Sequence, residues 1–135
     1  KDEVLKSDYA RLFIGPYKLL APPWESVYSS PLKLVCQEPL LEVKKLYLEA
    51  GLVLDTQKFL DDHIGIELQF MSYLYSNNMN EIKSSSYMKI KDKFVKEHLI
   101  KWVPDFCNDV IKNSETEFYK EIALFTKNVV EMEVI

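Results

Sequence analysis

Residues 55–78 read DTQKFLDDHIGIELQFMSYLYSNN, and the spacing of their apolar side chains decides the fold class. Ile64, Leu68, Met71 and Leu74 form one row at helical spacing, and Ile66, Phe70 and Tyr73 form a second. A helix that is apolar around most of its circumference belongs inside a bundle, because a surface helix needs only one apolar stripe. Asp61 and Asp62 stand where this helix should begin, and carboxylates suit the unpaired amides of a helix start.

The same period extends in both directions. Towards the amino terminus, Leu40, Val43, Leu46, Tyr47 and Ala50 form a stripe with Glu42, Lys44, Lys45 and Glu49 facing outward, and Gly51 is its natural terminator. Period is lost between Pro16 and Pro39. Before that, Leu5, Tyr9, Leu12 and Phe13 make another stripe that Gly15-Pro16 stops. Towards the carboxy terminus, NNMNEIKSSS (77–86) is a break, and Phe94, Val95, Leu99 and Trp102 then share one side of a helix. Pro104 is expected to start a short further segment through Phe106, Val110 and Ile111. Phe118, Ile122, Phe125 and Val129 are aligned along a last helix. Nothing reads as strand and no repeat appears, so the expected fold is an all-α, single-domain helical bundle over 1–135 with about five or six helices.

With 47% hydrophobic and 28% charged residues, the 135-residue chain can bury a single core. A formal charge of −4 and a pI near 5.2 argue against a nucleic-acid protein, which needs a clustered basic surface, and favour a basic partner. No run of about 18 apolar residues is present, so membrane insertion is not expected, and no signal peptide is visible. Cys36 and Cys107 lack any shared spacing motif, which reads as reduced thiols in a cytoplasmic protein. Two histidines without an H-E-x-x-H pattern give no metal site, and three isolated glycines give no phosphate-binding loop. No catalytic residues are assigned.

RLFIGPYKLLAPPWESVYSS (Arg11–Ser30) is the densest cluster of proline and aromatic residues. Prolines 16, 22 and 23 restrict the backbone in advance, while Tyr17, Trp24 and Tyr28 offer large amphipathic rings that lose few rotamers on binding. Each ring taken singly also suits a core plug where the loop crosses the bundle. Ser26 suits the cap of a short helical turn. Asp62 could accept from a guanidinium while His63 orients the carboxylate, with Glu67 one turn on, or Asp62 could simply cap the helix with His63 satisfied by a loop carbonyl. His98, among Val95, Leu99 and Trp102, reads as a packed or capping residue.

YARLFIGPYKLLAPPWESVY, DDHIGIELQFMSYL, HLIKW and FYKEIALFT resemble, in order and spacing, successive blocks of the TorD/DmsD/NarJ family of redox-enzyme maturation chaperones. The resemblance runs from about Tyr9 to Thr126 and implies a TorD-type bundle whose further amino-terminal helices precede this chain. It implies a cytoplasmic chaperone, not an enzyme, that binds the twin-arginine signal peptide and the apo form of a molybdopterin-containing oxidoreductase subunit until cofactor insertion and export. No cofactor is implied beyond weak GTP binding, and homodimers, including helix-swapped ones, are implied. Asp62 and His63 match the family's Asp-His pair, which is implicated in signal-peptide binding; the proline that often precedes that pair is replaced here by Leu60-Asp61. The candidate peptide-binding set is therefore Tyr9, Leu12, Phe13, Tyr17, Pro23, Trp24, Ser26, Tyr28, Asp61, Asp62, His63 and Glu67. A helical scaffold or protein-interaction domain without signal-peptide recognition is the alternative.

Overall fold

The computed structural model describes residues 1–54, 59–77 and 84–135. Helix α1 (Asp2–Tyr9) runs into a π-helical turn, Ala10–Ile14, and ends at Gly15, whose φ of 112° is left-handed backbone that favours glycine. One turn of helix, α2 (Glu25–Ser29), follows the proline-rich loop. Helix α3 (Glu38–Glu49) starts on Gln37 with Pro39 in its first turn and stops at Gly51, where φ is 84°. Then come α4 (Ile64–Asn77), α5 (Ser84–Phe94), α6 (Ile100–Asn113) and α7 (Glu117–Met132). The all-α expectation holds: among the described residues the only β pairing is an isolated antiparallel bridge between Trp24 and His63. Of the expected break at 77–86, residues 78–83 lie outside the described residues, and Ser84–Ser86 are already helical.

Helix α4 was expected to be the central, buried one, but its double apolar row is only partly covered: Ile64, Ile66 and Tyr73 are half-buried and Leu68 is exposed, whereas α6 buries Trp102, Val103, Phe106, Cys107 and Val110. Phe70, Met71 and Leu74 are buried, and the Phe70 ring meets Tyr47 of α3 at 4.6 Å and Phe94 of α5 at 5.0 Å, both edge-on. Leu46, Leu99, Trp102 and Val103 complete this layer.

Pro104 does not begin a new segment. The chain is helical without interruption from Ser84 to Asn113, because a π-helical turn, Val95–Leu99, joins α5 to α6 and Pro104 lies inside α6. Proline there removes the N–H that the Ile100 carbonyl would have accepted. The wide turn lies just upstream, with the Ile100 amide bonded back to Val95.

The last helix packs on α6 through Ala123 and Val130, with Tyr119 partly buried, and not through its longest apolar row. Phe118, Ile122, Phe125, Val129 and Met132 face solvent, Phe125 being 70% exposed. The turn from α6 into α7 is held by Asp8, a buried carboxylate on α1. Asp8 accepts from Arg11 at 2.8 Å, from the Ser114 and Thr116 hydroxyls at 2.7 Å each, and from the amides of Glu115 and Thr116. Burial alone would raise its pKa, but these donors outweigh it and hold the carboxyl far below the ordinary range.

Candidate functional site

Two segments distant in sequence meet at a short backbone joint. Pro23 biases Pro22 towards extended backbone, and Trp24 continues it with φ −128° and ψ 136°, forming an isolated antiparallel bridge with His63. The Glu25 amide donates to the Asp62 carbonyl at 3.1 Å, and the Ile64 amide donates to the Pro23 carbonyl at 2.9 Å. Pro23 is buried in this joint. Asp62, fully buried, does not cap its own helix. It reaches across to α2, accepting from the Ser26 amide at 2.9 Å and the Ser26 hydroxyl at 2.6 Å. Ser26 is therefore no cap: it lies inside α2, and its hydroxyl also accepts from the Gln37 amide. Asp61 is buried as well, and its carbonyl accepts from Tyr47 at 2.7 Å.

His63 sits half-buried on the outer side of the joint. Its ring meets Trp24 edge-on at 6.0 Å and Phe59 at 4.9 Å. Nδ1 accepts the Gly65 amide at 3.0 Å, which satisfies a free N–H of the first turn of α4 and fixes the tautomer with its proton on Nε2. A β-carbon at Gly65 would lie 3.3 Å from that same nitrogen, so glycine leaves room for the ring. Burial lowers the His63 pKa and keeps the ring neutral, with Nε2–H available to an acceptor.

Beneath the joint the carboxylates turn inward. Glu67 was expected one turn on from His63 as a partner for a guanidinium; it is fully buried and accepts from Trp102 Nε1 at 2.9 Å. Burial, then the nearby Glu25, push its pKa well above the usual carboxylate range. Glu25 itself is buried and lies 2.7 Å from His98 Nδ1, while His98 Nε2 is 3.6 Å from Glu42 at the surface. Desolvation raises the Asp62 pKa as well, in spite of the two Ser26 hydrogen bonds.

The helix that begins at Ile64 also forms one wall of an apolar groove of about 200 Å³. Ile64 and Leu68 of α4, Phe106 of α6, Ile122 of α7 and Phe13 line it. Phe13 is held edge-on to Tyr9 at 5.3 Å and to Tyr119 at 6.0 Å, and Tyr9 remains 45% exposed. Tyr28 backs the groove, with its ring 6.2 Å from Phe106 and its hydroxyl bonded to Asp109 at 2.8 Å. Leu12 is wholly in the core. Tyr17 is elsewhere: it is 86% exposed and lines a separate cavity with Ser7, Arg11 and Lys18.

The candidate residues thus fall into a joint (Pro23, Trp24, Ser26, Asp61, Asp62, His63), a groove edge (Tyr9, Phe13, Tyr28), buried supports (Leu12, Glu67) and the isolated Tyr17. Sequence reasoning missed Glu25, the Trp102 donor and the groove residues Ile64, Leu68, Phe106 and Ile122. Their apolar periodicity was visible, but the gap between three helices was not. No group of carboxylate, histidine and cysteine side chains among the described residues is arranged to hold a metal ion. Cys36 is exposed and Cys107 buried, with the Cys107 thiol pushed up to about 12 by burial.

The protein-family model described as nitrate reductase delta subunit matches residues 1–108. The chain belongs to that family. Curated relatives of this nitrate reductase delta subunit family member include a probable Tat proofreading chaperone DmsD of Haemophilus influenzae, 31% identical over 123 residues, which are 90% of this chain and 56% of that protein. A chaperone protein TorD of Vibrio parahaemolyticus is 27% identical over 124 residues, 88% of this chain and 57% of the relative. A chaperone protein TorD of Salmonella typhimurium is 31% identical over 120 residues, 88% of this chain and 53% of the relative. The chain spans about half the length of the curated relatives it matches. No helix among the described residues is long and apolar enough to cross a membrane.

Proposed function

We propose that the chain is the peptide-binding part of a cytoplasmic chaperone, without catalytic activity, for a molybdopterin-containing oxidoreductase. In this reading it holds the twin-arginine leader of the apo-subunit until cofactor insertion. The observation that carries the reading is the apolar groove that opens beside the Trp24–His63 joint, with Ile64 belonging to both. A twin-arginine leader is a basic pair followed by an apolar stretch. The groove suits the apolar stretch, with Phe13, Leu68 and Phe106 as contact area and Tyr9 and Tyr28 at its borders. Among the described residues Asp61 and Asp62 each keep one carboxylate oxygen without a donor, and unpaired carboxylate oxygens are what guanidinium forks bind. His63 and Trp24 stand in front of them, so the arginine pair is received where the joint parts. The relatives named as Tat proofreading and TorD chaperones support the same reading.

The test is titration of the purified chain with a twin-arginine leader peptide and with the same peptide carrying alanine at both arginines. Binding of the first with at least about tenfold weaker binding of the second is expected, since each charge-assisted hydrogen bond contributes about 1.5 to 3 kcal/mol. Equal affinity for both would remove leader recognition. A protein-interaction domain without leader recognition is the second reading, and the exposed row on α7 favours it: Phe118, Ile122, Phe125, Val129 and Met132 recur at spacings of four and three, the pattern of a helix-pairing seam. In that case a helix without arginines would bind as well as the leader.

A further inference from the structure

The buried side of the joint holds more carboxyl groups than donors. Glu25 is 1% exposed, Asp62 and Glu67 are 0% and His98 is 1%. Glu25 Oε2 faces His98 Nδ1, and Glu67 Oε1 accepts from Trp102, yet Glu25 Oε1 and Glu67 Oε2 have no donor among the described residues. After burial, Glu25 is the main influence that raises the Glu67 pKa, through its charge and as a hydrogen-bonding neighbour. Two carboxylates are both acceptors and cannot bond, but one proton placed between them supplies the missing donor.

We propose that Glu25 and Glu67 share one proton, and that this shared proton is the fastener that holds the Pro23–Glu25 and Asp62–Ile64 segments together, so that its release opens the joint. Glu25 and Glu67 are then positioning residues for Trp24 and His63. What the open joint receives rests on the leader reading above; the fastening itself does not.

Every element around the pair contributes to its charge balance. Helix α2 brings Glu25, and the segment before α4 brings Asp61 and Asp62, Asp62 being latched to Ser26. Helix α3 brings Tyr47, bonded to the Asp61 carbonyl, and Glu42 near His98. The π-helical turn brings His98, and α6 brings Trp102. Of these groups His98 is the one base, and it lies on the Glu25 side; Lys45 of α3 and Lys93 of α5 stand beyond it, in the surface pocket that His98 shares with Glu42, Glu49 and Glu97. The Tyr47 phenol, raised by burial and by Glu67, Asp61, Glu25 and Asp62, stays protonated. Opposing charge is therefore scarce, and a second negative charge in the pair would be held against Asp62 as well.

The sign follows from the raised Glu67 pKa. The proton is fully held below the ordinary Glu pKa of 4.5 and is lost as pH rises through the raised, folded value. Between those limits each opening releases one proton, so the opening equilibrium rises about tenfold per pH unit.

Amide hydrogen exchange at Glu25 and Ile64, the two amides that close the joint, reads this directly without any peptide. In the wild-type chain, exchange corrected for its intrinsic pH dependence is expected to accelerate about tenfold per pH unit above the ordinary carboxylate range. Glu67→Gln keeps an acceptor for Trp102 and gives Glu25 a permanent donor, so the pH slope of its corrected exchange at the two amides should fall by one proton per opening. Glu25→Gln should lower it likewise, and serves if Glu67→Gln does not fold. Infrared spectra of chain labelled with carbon-13 at glutamate are expected to show one protonated buried carboxyl at neutral pH, absent in both variants. The same pH slope in wild type and variants, or no protonated carboxyl in the wild type, would overturn the proposal. Joint amides that behave as stated while no leader peptide binds would uphold the fastening and remove the leader reading alone.

Discussion

Asp8 shows how much one side chain can carry in this protein. Its carboxylate accepts from two hydroxyls, two amides and one guanidinium, and so joins α1 to the turn between α6 and α7. Asp8→Ala leaves those donors buried without a partner and is expected to lower unfolding free energy by about 3 kcal/mol, read from urea denaturation at neutral pH. Because the Asp8 pKa is lowered on folding, the stabilisation is present above the ordinary Asp pKa of 3.8 and is lost as pH falls through the folded value. His63 behaves in the same direction through another cause. Its folded pKa lies below the ordinary 6.5, so protonation on acidification removes the Nδ1 acceptor from the Gly65 amide. A pH titration of the His63 ring by nuclear magnetic resonance should show a midpoint below 6.5, and a midpoint above it would contradict the cap. Neither role was legible in the sequence. Nothing in the local pattern marks Asp8, and its donors at 114–116 are more than a hundred residues away. Asp62 read as a cap for the helix that follows it, whereas the donors it uses are on Ser26, thirty-six residues earlier.

At the scale of elements, periodicity told which segments are helices but not which neighbour each one meets. Helix α4 read as the central one because both its apolar rows need cover, yet the structure buries Phe70, Met71 and Leu74 and leaves Leu68 exposed on a groove wall. Proline read as a boundary at residue 104 because local propensity opposes it. The helix nonetheless continues, since Trp102, Val103, Phe106, Cys107 and Val110 bury a continuous face around it. Helix α7 was legible as a helix, but its largest apolar row is not its buried one. That difference is measurable by paired substitutions. Phe125→Ser should change unfolding free energy by less than about 0.5 kcal/mol, as at an exposed site. Ala123→Leu, on the face packed against α6, should cost about 1 to 3 kcal/mol by overpacking. Equal costs in urea denaturation would mean that α7 is seated on the other face.

The whole molecule combines a net charge of −4 with an apolar groove, and both were in the composition and the helix pattern without their placement. A basic peptide should therefore associate faster at low ionic strength, its on-rate falling as salt is raised, while the apolar contacts set its dissociation. Leu68→Glu, which puts a charge on the groove wall at a side chain already 36% exposed, should weaken leader binding more than about tenfold with the helix content unchanged. The central claim is that the groove next to the Trp24–His63 joint takes the apolar part of a twin-arginine leader. Methyl-labelled nuclear magnetic resonance with a bound leader peptide tests it most directly. Shifts and intermolecular contacts concentrated on Ile64, Leu68 and Ile122, with Trp24 and His63 perturbed and the alanine-substituted peptide giving much weaker effects, are what the account predicts. Contacts confined to Phe118, Phe125, Val129 and Met132 of α7 or to the cavity beside Tyr17, with Ile64, Leu68 and Ile122 unchanged, would contradict it.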